Sequence, residues 1–502
     1  MEHQPKLLSL LSEDLGYRIR TSKRVLGYPV FYVDFSRWRL RFTSDTPVIW
    51  IRRSDLDSTD QQHLLEGLQD VKHELGWAHR IPIAIVEGDS EQFRSPLLRG
   101  THSFVVIGTS EQEAILDSRR PTGVLLDLIA TQIPISNLSP YEVSSPVTGS
   151  RFFGREYEVR KIIANLDTNY AVLGIRRIGK TSLLREVQRL LEERKNPPPI
   201  VYLDCSDLLT YEDYVREVVR KLHPRDLPRL HKQQYAFFFP NFLERMHRKY
   251  NNRIVFFLDE IDNLIIMQRG DWRLFRALRA SSNKGACQYI IAGFRDAMRE
   301  QHLLDSPLFN FTQEIRLTEF TIQEAHDLIV GPMKNLRIRF KNQNEVVTRI
   351  YRETAGQPNL IQFYCTTLLK RLEQAGEREI GPDSLIDVYG DEGFKNRLLT
   401  TFMVNTTNLE KAVVYSLLSD PQREASMAFT QADIDRALKS HDITLKQALL
   451  DEACRNLVLA GVFYNKGLDY YFVAPMFPSM LLRYYDVDYL FMKVQEEGYD
   501  LA

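Results

Sequence analysis

The feature that most constrains this chain of 502 residues is the stretch NYAVLGIRRIGKTSLL, which covers residues 169–184. An apolar run ends at Gly174, four residues lead to Gly179, and Lys180-Thr181 opens an apolar helical pattern. This spacing between a strand and a helix is typical of a phosphate-binding loop. Glycines let backbone N–H groups turn towards phosphate oxygens, and the helix N-terminus adds its positive dipole end. The predicted phosphate contacts are Gly174, Ile175, Arg176, Arg177, Ile178, Gly179, Lys180, Thr181 and Ser182.

A second chemical element is the run IVFFLDE, residues 254–260. A continuous apolar run is what a strand buried on both faces requires, and it delivers Asp259 to the carboxyl edge of a parallel sheet. We expect Thr181 and Asp259 to hold Mg²⁺, Lys180 to reach the β- and γ-phosphates, and Glu260 to activate water. The alternative is a strand that simply ends in a solvated acidic turn.

The segment FFGRE at 152–156, followed by VLGIRRIGKTSLL, resembles the AAA+-related ATPases of the STAND and archaeal-ATPase type. The resemblance implies ATP as the nucleotide and places Phe153, Gly154 and Arg155 beside its adenine and ribose. Many STAND switches have Asp where this chain has Glu260, and the Glu favours real hydrolysis.

Two further motifs carry the same resemblance. Gly293-Phe294-Arg295 follows a predicted strand at 288–292, and the family likeness makes Arg295 a candidate γ-phosphate sensor. Hydroxyl residues usually stand where this chain has Gly293-Phe294, so an ordinary surface arginine is the alternative. Pro358 resembles the proline of the helical lid that packs near the base; a simple helix–turn–helix corner is equally open.

The predicted fold class is α/β, with a parallel-sheet P-loop NTPase core, a helical lid, a C-terminal winged helix and a separate N-terminal α/β domain. The length requires several domains. Their predicted ranges are 1–135 for the N-terminal domain of unknown role, 136–150 for a Ser- and Pro-rich linker, 151–320 for the core, 321–404 for the lid and 405–502 for the winged helix with its tail.

Composition limits the partners. The net charge of −1 gives no bulk attraction to nucleic acid or to an anionic membrane. The four cysteines match no zinc or redox spacing and are expected to be core residues in a reducing compartment. Neither a signal pattern nor an apolar run of membrane-spanning length is present, so we expect a cytoplasmic protein.

The sequence leaves three functions open. The first is an ATP-driven conformational switch with slow hydrolysis, acting with a protein partner or through self-association. The second is a DNA-binding AAA+ ATPase resembling origin-recognition or transposition ATPases. It is favoured by a predicted strand at 37–42 with three arginines on one face, although a half-buried strand with an ordinary solvated face is the alternative there. It is disfavoured by the predicted winged helix, because 405–502 carries nine basic and fourteen acidic residues. The third is a STAND-like defence or signalling protein.

Overall fold

The structure is a computed structural model of the chain. It describes residues 5–21, 24, 28–42, 45–52, 81–89, 104–232, 235–386, 388–419, 428–474 and 476–499. The sequence also predicts a helix at 61–75, which lies outside the described residues.

The N-terminal unit is built on one five-stranded sheet whose strands follow chain order. The first three strands pair antiparallel and the last three parallel. The sequence predicts strands at 30–33, 47–51, 83–86 and 104–107 and a helix at 110–116, and these are confirmed. Its elements are β1 Ile19–Thr21, β2 Val30–Val33, β3 Thr46–Ile51, β4 Ile83–Val86, β5 Val105–Ile107, α1 Lys6–Ser9, α2 Thr109–Leu116, α3 Pro121–Gln132 and α4 Ile135–Leu138.

The predicted strand with an arginine face at 37–42 is wrong. Residues Ser36–Trp38 form a 3₁₀ turn and Arg39 has a left-handed φ of 50°. The alternation of burial is real, because Trp38, Leu40 and Phe42 are buried and the arginines are exposed, but it comes from an irregular segment. The guanidinium of Arg37 packs on the Tyr17 ring and donates to the carbonyl of Leu15. This segment therefore presents no flat basic sheet face.

The core unit is a five-stranded, fully parallel sheet in the order β10-β6-β9-β8-β7. Apolar clusters cover both of its faces, which explains why its strands are continuous apolar runs. Its elements are α5 Glu156–Ala164, β6 Tyr170–Leu173, α6 Lys180–Glu192, β7 Ile200–Asp204, α7 Tyr211–Leu222, α8 Tyr235–Tyr250, β8 Ile254–Asp259, α9 Asp262–Gln268, α10 Arg273–Asn283, β9 Cys287–Gly293, α11 Arg295–His302 and β10 Gln313–Arg316.

A helical layer follows, as the sequence predicts. Pro358 occupies the first position of its longest helix, where a missing N–H costs nothing. The elements are α12 Ile322–Asn335, β11 Arg339–Phe340, α13 Gln343–Glu353, α14 Pro358–Ala375, β12 Glu379–Ile380 and α15 Glu392–Asn405.

Over its described residues, the C-terminal unit consists of three helices, a two-stranded hairpin and two closing helices. This element order is the one that the winged-helix prediction expects, while membership of the winged-helix family stays a prediction. The hairpin turns at Gly467, whose φ is 68°. The elements are α16 Asn408–Leu418, α17 Gln431–Lys439, α18 Gln447–Leu459, β13 Phe463–Lys466, β14 Asp469–Phe472, α19 Met476–Tyr484 and α20 Val487–Glu497.

Between the end of α4 and a 3₁₀ turn at Gly149–Arg151, the predicted linker 136–150 has no regular secondary structure, but it is hydrogen-bonded to neighbouring elements. The Tyr141 hydroxyl donates to the carbonyls of Leu328 and Ile329 in α12. The backbone N–H of Val147 donates to Ser182 Oγ, and that of Gly149 to a Glu186 carboxylate oxygen. The segment thus ties the lid to the helix that starts at the phosphate loop.

All four cysteines are buried thiols, as predicted. Within the described ranges, every helix is too short or too polar to cross a bilayer.

Candidate functional site

The predicted phosphate loop connects β6 to α6, and β6 lies between β10 and β9 in the core sheet. Arg177 and Gly179 have positive φ values of 70° and 110°, so the backbone winds around a concave turn. A Cβ on Gly174 would lie 2.8 Å from the carbonyl oxygen of Leu317, which leaves space for glycine alone. The loop conformation therefore depends on the two glycines that define the motif.

Lys180 is almost fully buried at the start of α6. Its ammonium group donates hydrogen bonds to the carbonyl oxygens of Gly174, at 2.9 Å, and Ile175, at 3.1 Å. Burial lowers the pKa of Lys180, whereas the negative charges of Glu260, Asp262 and Asp259 act in the opposite direction. The ammonium group is thus hydrogen-bonded to the loop backbone, and the charges of three carboxylates favour its protonated form.

The two acidic residues after β8 have different surroundings. Asp259 is 4% exposed, and its carboxylate accepts a 2.6 Å hydrogen bond from the Tyr202 hydroxyl on the adjacent strand β7. Glu260 takes a left-handed φ of 50°, which turns its side chain into the cavity described below. Burial raises the pKa of Glu260, and the positive charge of Lys180 opposes that rise. A raised pKa makes a carboxylate a stronger base once it is ionised.

Asp262 does not cap its own helix α9. Its carboxylate accepts the backbone N–H groups of Phe294, Asp296 and Ala297, and so caps α11. This contact joins the turn after β8 to the turn after β9.

A cavity of about 600 Å³ lies between the phosphate loop, the lid and the linker. It brings together eleven of the predicted site residues. These are Phe153, Arg155, Arg176, Arg177, Ile178, Gly179, Lys180, Thr181, Ser182, Glu260 and Pro358. Gly154, Gly174, Ile175, Asp259 and Arg295 do not line it.

The cavity is strongly basic, although the whole chain is not. Its walls carry six basic side chains and two acidic ones, a surplus of four positive charges in a chain of net charge −1. The six basic residues are Arg151, Arg155, Arg176, Arg177, Lys180 and Arg397. Such a concentration of charge favours a polyanionic ligand.

The segment predicted to contact the base lies against the lid. Arg155 is 6% exposed, donates to the carbonyl of Thr318 and lies 4.8 Å from the centre of the Phe320 ring. Its buried Nε has no hydrogen-bond partner in the part of the chain that the structure describes. Gly154 has φ 71°, and a Cβ there would lie 2.8 Å from the ring of Phe320, which lines the cavity, and 3.2 Å from the Cβ of Glu324 in α12.

Arg295 is the predicted site residue whose surroundings differ most from expectation. Both terminal nitrogens donate to the carboxylate of Glu410, and one of them also donates to the carbonyl of Asn405. The guanidinium therefore points to the C-terminal unit, and no polar contact between it and the phosphate loop is found among the described residues. Its role as a γ-phosphate sensor stays a prediction.

Sequence reasoning missed several residues of the cavity wall. The linker contributes residues 142–147, the lid contributes Asn359 and Gln362, and α15 contributes Arg397. These residues belong to no motif. The sequence shows only that residues 136–150 connect two domains, and it does not show which residues of those domains the linker contacts.

Comparison with known proteins agrees with this geometry. Residues 165–299 match the family described as AAA domain, and this range contains the phosphate loop, Asp259 and Glu260. The chain contains an AAA-type P-loop NTPase domain. No curated protein sequence matches the chain significantly.

One solved structure with a TM-score above 0.5 matches the chain beyond this AAA domain, and two others are also similar. The Walker-type ATPase PABY2304 of Pyrococcus abyssi is 16% identical, with a TM-score of 0.52, and the match covers 68% of this chain and 99% of that one. The ORC2 protein of Aeropyrum pernix is 12% identical, with a TM-score of 0.48, over 68% of this chain and 93% of that one. The Aeropyrum pernix ORC1 protein in complex with DNA is 14% identical, with a TM-score of 0.40, over 68% and 94%. At these identities the first likeness shows the fold alone.

Proposed function

We propose that this chain binds ATP with Mg²⁺ in the basic cavity, hydrolyses it slowly, and acts as a conformational switch whose C-terminal unit responds to the nucleotide. The observation that carries the proposal is the cavity itself: a phosphate loop, a surplus of four positive charges and a half-buried glutamate share one space. The partnerless Nε of Arg155 is a further donor at the base side. An adenine preference comes from the resemblance of residues 152–156 to the AAA+-related ATPases.

The phosphates would be held by the loop backbone and Lys180. The ammonium already lies among loop carbonyls and close to carboxylates, so a triphosphate would replace neutral acceptors by charged ones. Thr181 and Asp259 supply the hydroxyl and carboxylate oxygens that a hard cation prefers. Mg²⁺ at that position would neutralise charge on the leaving phosphates.

Hydrolysis would depend on Glu260. This side chain lines the cavity, sits beside Lys180 and has a raised pKa caused by burial, which are the properties of a base that orients or deprotonates water. The carboxylate of Asp259, in contrast, is buried and held by Tyr202, which suits a fixed ligand and not a mobile base.

The switch is supported by direct contacts between the loop and the C-terminal half. The backbone N–H of Arg176 donates a 2.8 Å hydrogen bond to the Asn405 side chain, at the end of α15. Arg295, at the carboxyl end of β9, holds Glu410 in α16. A ligand that changes the position of the loop would change the Arg176–Asn405 contact, next to the Arg295–Glu410 pair. A difference in ligand affinity between the two arrangements is what a switch requires.

Nucleotide turnover of three proteins tests the hydrolytic part. Replacement of Glu260 by Gln should leave binding of an ATP analogue intact and reduce turnover by about 100-fold or more, the usual contribution of a general base. Glu377→Gln removes an exposed carboxylate after α14 and should behave as the wild type. If Glu260→Gln turns over ATP at the wild-type rate, the assignment of the base is wrong.

Hydrogen exchange of residues 392–410 tests the switch. Protection should differ between the chain with a non-hydrolysable ATP analogue and the chain with ADP, and identical exchange would contradict a switch. A salt-dependent gel shift with and without ATP addresses the DNA-binding alternative in the same preparation. We expect no shift, because the predicted basic strand is absent and the C-terminal unit is acidic; ATP-dependent retention of DNA would favour the alternative.

A further inference from the structure

Helix α15 faces the cavity and the phosphate loop with a stripe of three polar residues. Arg397, Thr401 and Asn405 are spaced four residues apart, so they lie on one face of the helix. Arg397 lines the cavity, and the guanidinium of Arg177 reaches the Thr401 hydroxyl at 3.5 Å. Asn405 accepts the backbone N–H of Arg176. Helix α15 thus lines the cavity and contacts two successive residues of the phosphate loop, Arg176 and Arg177.

Arg397 has only neutral partners in the described residues. Its Nε donates to the side-chain oxygen of Asn359 at 2.8 Å, and a terminal nitrogen donates to the carbonyl of Val143. The Phe363 ring centre lies 6.0 Å from its central carbon. Burial lowers the pKa of Arg397, and the nearby positive charge of Arg177 lowers it further.

Arg177 and Arg397 face one cavity, and neither forms an ion pair with a carboxylate of the described residues. This arrangement is costly, because each positive charge raises the electrostatic energy of the other. Three other partly buried arginines of the core unit pair with a carboxylate: Arg189 with Glu186, Arg253 with Asp167 and Arg295 with Glu410. An anion in the cavity would remove the cost at Arg177 and Arg397. A guanidinium also matches the geometry of phosphate oxygens.

We propose that Arg397 is a phosphate ligand of the nucleotide, supplied by the helix that leads into the C-terminal unit. The proposal rests on the proposed function, since it needs a nucleotide in this cavity. Arg397 lies outside every recognised motif. The proposal also explains how the nucleotide could act on the C-terminal unit: a phosphate that attracts Arg397 acts on α15, and the last residue of that helix, Asn405, is bonded to the phosphate loop.

Equilibrium binding of ATP, ADP and adenosine to Arg397→Gln tests the proposal. We expect this variant to bind ATP and ADP at least tenfold more weakly, and adenosine as the wild type does. Its ATP affinity should also depend less on salt than that of the wild type, because one charge contact is lost. Arg397→Lys, which keeps the charge and loses the planar fork, should recover part of the affinity.

Two controls separate a ligand from a structural role. Asn359→Ala removes a partner of Arg397 and no charge, so its ATP affinity should keep the wild-type salt dependence. Arg455→Gln removes an exposed arginine of α18 and should leave nucleotide affinity and its salt dependence unchanged.

If Arg397→Gln retains the wild-type preference for ATP over adenosine and the wild-type salt dependence, the proposal is overturned while the proposed function stands. If the wild type itself does not bind ATP, the proposed function fails first. Should Arg397→Gln fail to fold, the salt dependence of Arg397→Lys decides: an affinity and slope equal to the wild type's refute a bidentate phosphate contact.

Discussion

Arg295 and Glu410 form a two-pronged ion pair, with N–O distances of 2.6 and 2.7 Å, between residues 115 positions apart in the chain. The side chain of Glu410 is 2% exposed and that of Arg295 is 22% exposed. The same carboxylate also accepts the backbone N–H of Thr407 and so caps α16. The pair therefore joins the first helix of the C-terminal unit to the start of α11, directly after β9.

Loss of one partner of this pair should be costly. In Arg295→Met the Glu410 carboxylate remains buried without its cation, and the free energy of unfolding should fall by about 3 kcal/mol. The double variant Arg295→Met/Glu410→Leu should lose less, since no charge is left uncompensated. Urea unfolding measures both.

The matched control is the exposed pair of Arg436 and Asp433 in α17. Arg436→Ala should cost about 0.5 kcal/mol, because solvent screens such pairs. Equal losses for Arg295→Met and Arg436→Ala would show that the buried pair does not fasten the C-terminal unit.

Tyr202 is expected to position Asp259. Tyr202→Phe removes the hydroxyl that donates to the carboxylate and keeps the ring, on which Arg185 packs at 3.3 Å. A hydrogen bond to a charged group is worth about 2 kcal/mol, so we expect a stability loss of that order and a higher Mg²⁺ concentration for half-maximal nucleotide binding.

Tyr214 provides the comparison for this variant. Its buried hydroxyl has no hydrogen-bond partner within the described part of the chain, so Tyr214→Phe should be neutral or slightly stabilising and leave the Mg²⁺ requirement unchanged. If Tyr202→Phe has the Mg²⁺ requirement of the wild type, the proposal that Asp259 is a Mg²⁺ ligand positioned by Tyr202 is wrong.

Helices and strands were predictable where local patterns agree with burial. The sequence predicts helices at 235–250 and 408–418 with the bounds that the structure has. For α16 the reason is visible in the chain, because Thr407 and Glu410 form a capping box before an apolar run. The phosphate loop and the acidic turn after β8 were equally readable, since both depend on short spacings.

Side-chain direction was not predictable. The position of Arg295 after β9 is as expected, but its partner Glu410 is distant in the sequence. The alternation at 37–42 gave the correct burial and the wrong backbone, because period two does not distinguish a strand from a 3₁₀ turn followed by a left-handed residue. Arg397 reaches the cavity only through the packing of α15, which no local pattern reports.

Gly154 is expected to tolerate no side chain. In Gly154→Ala, the alanine would have to adopt a φ of 71°, and its Cβ would lie within 3 Å of the Phe320 ring. Backbone strain and overpacking would therefore both destabilise the variant. We expect a loss of about 3 kcal/mol from the two effects, together with weaker nucleotide binding as the lid is displaced. Thermal unfolding and nucleotide titration measure the two effects.

Gly467 isolates the backbone contribution. Its φ is 68°, but a Cβ there meets no atom within 4 Å, so Gly467→Ala should cost about 1 kcal/mol and leave nucleotide binding unchanged. If Gly154→Ala is no more harmful than Gly467→Ala, the close contact with the lid is not important for the fold.

The most direct test of the account is a titration of the full chain with a non-hydrolysable ATP analogue and Mg²⁺, alongside Lys180→Ala and, as a control, the exposed Lys334→Ala. We predict saturable binding of one nucleotide per chain to the wild type and to Lys334→Ala, and an affinity at least tenfold lower for Lys180→Ala. Absence of saturable binding to the wild type, or equal affinity for Lys180→Ala, would contradict the assignment of the cavity as an ATP site.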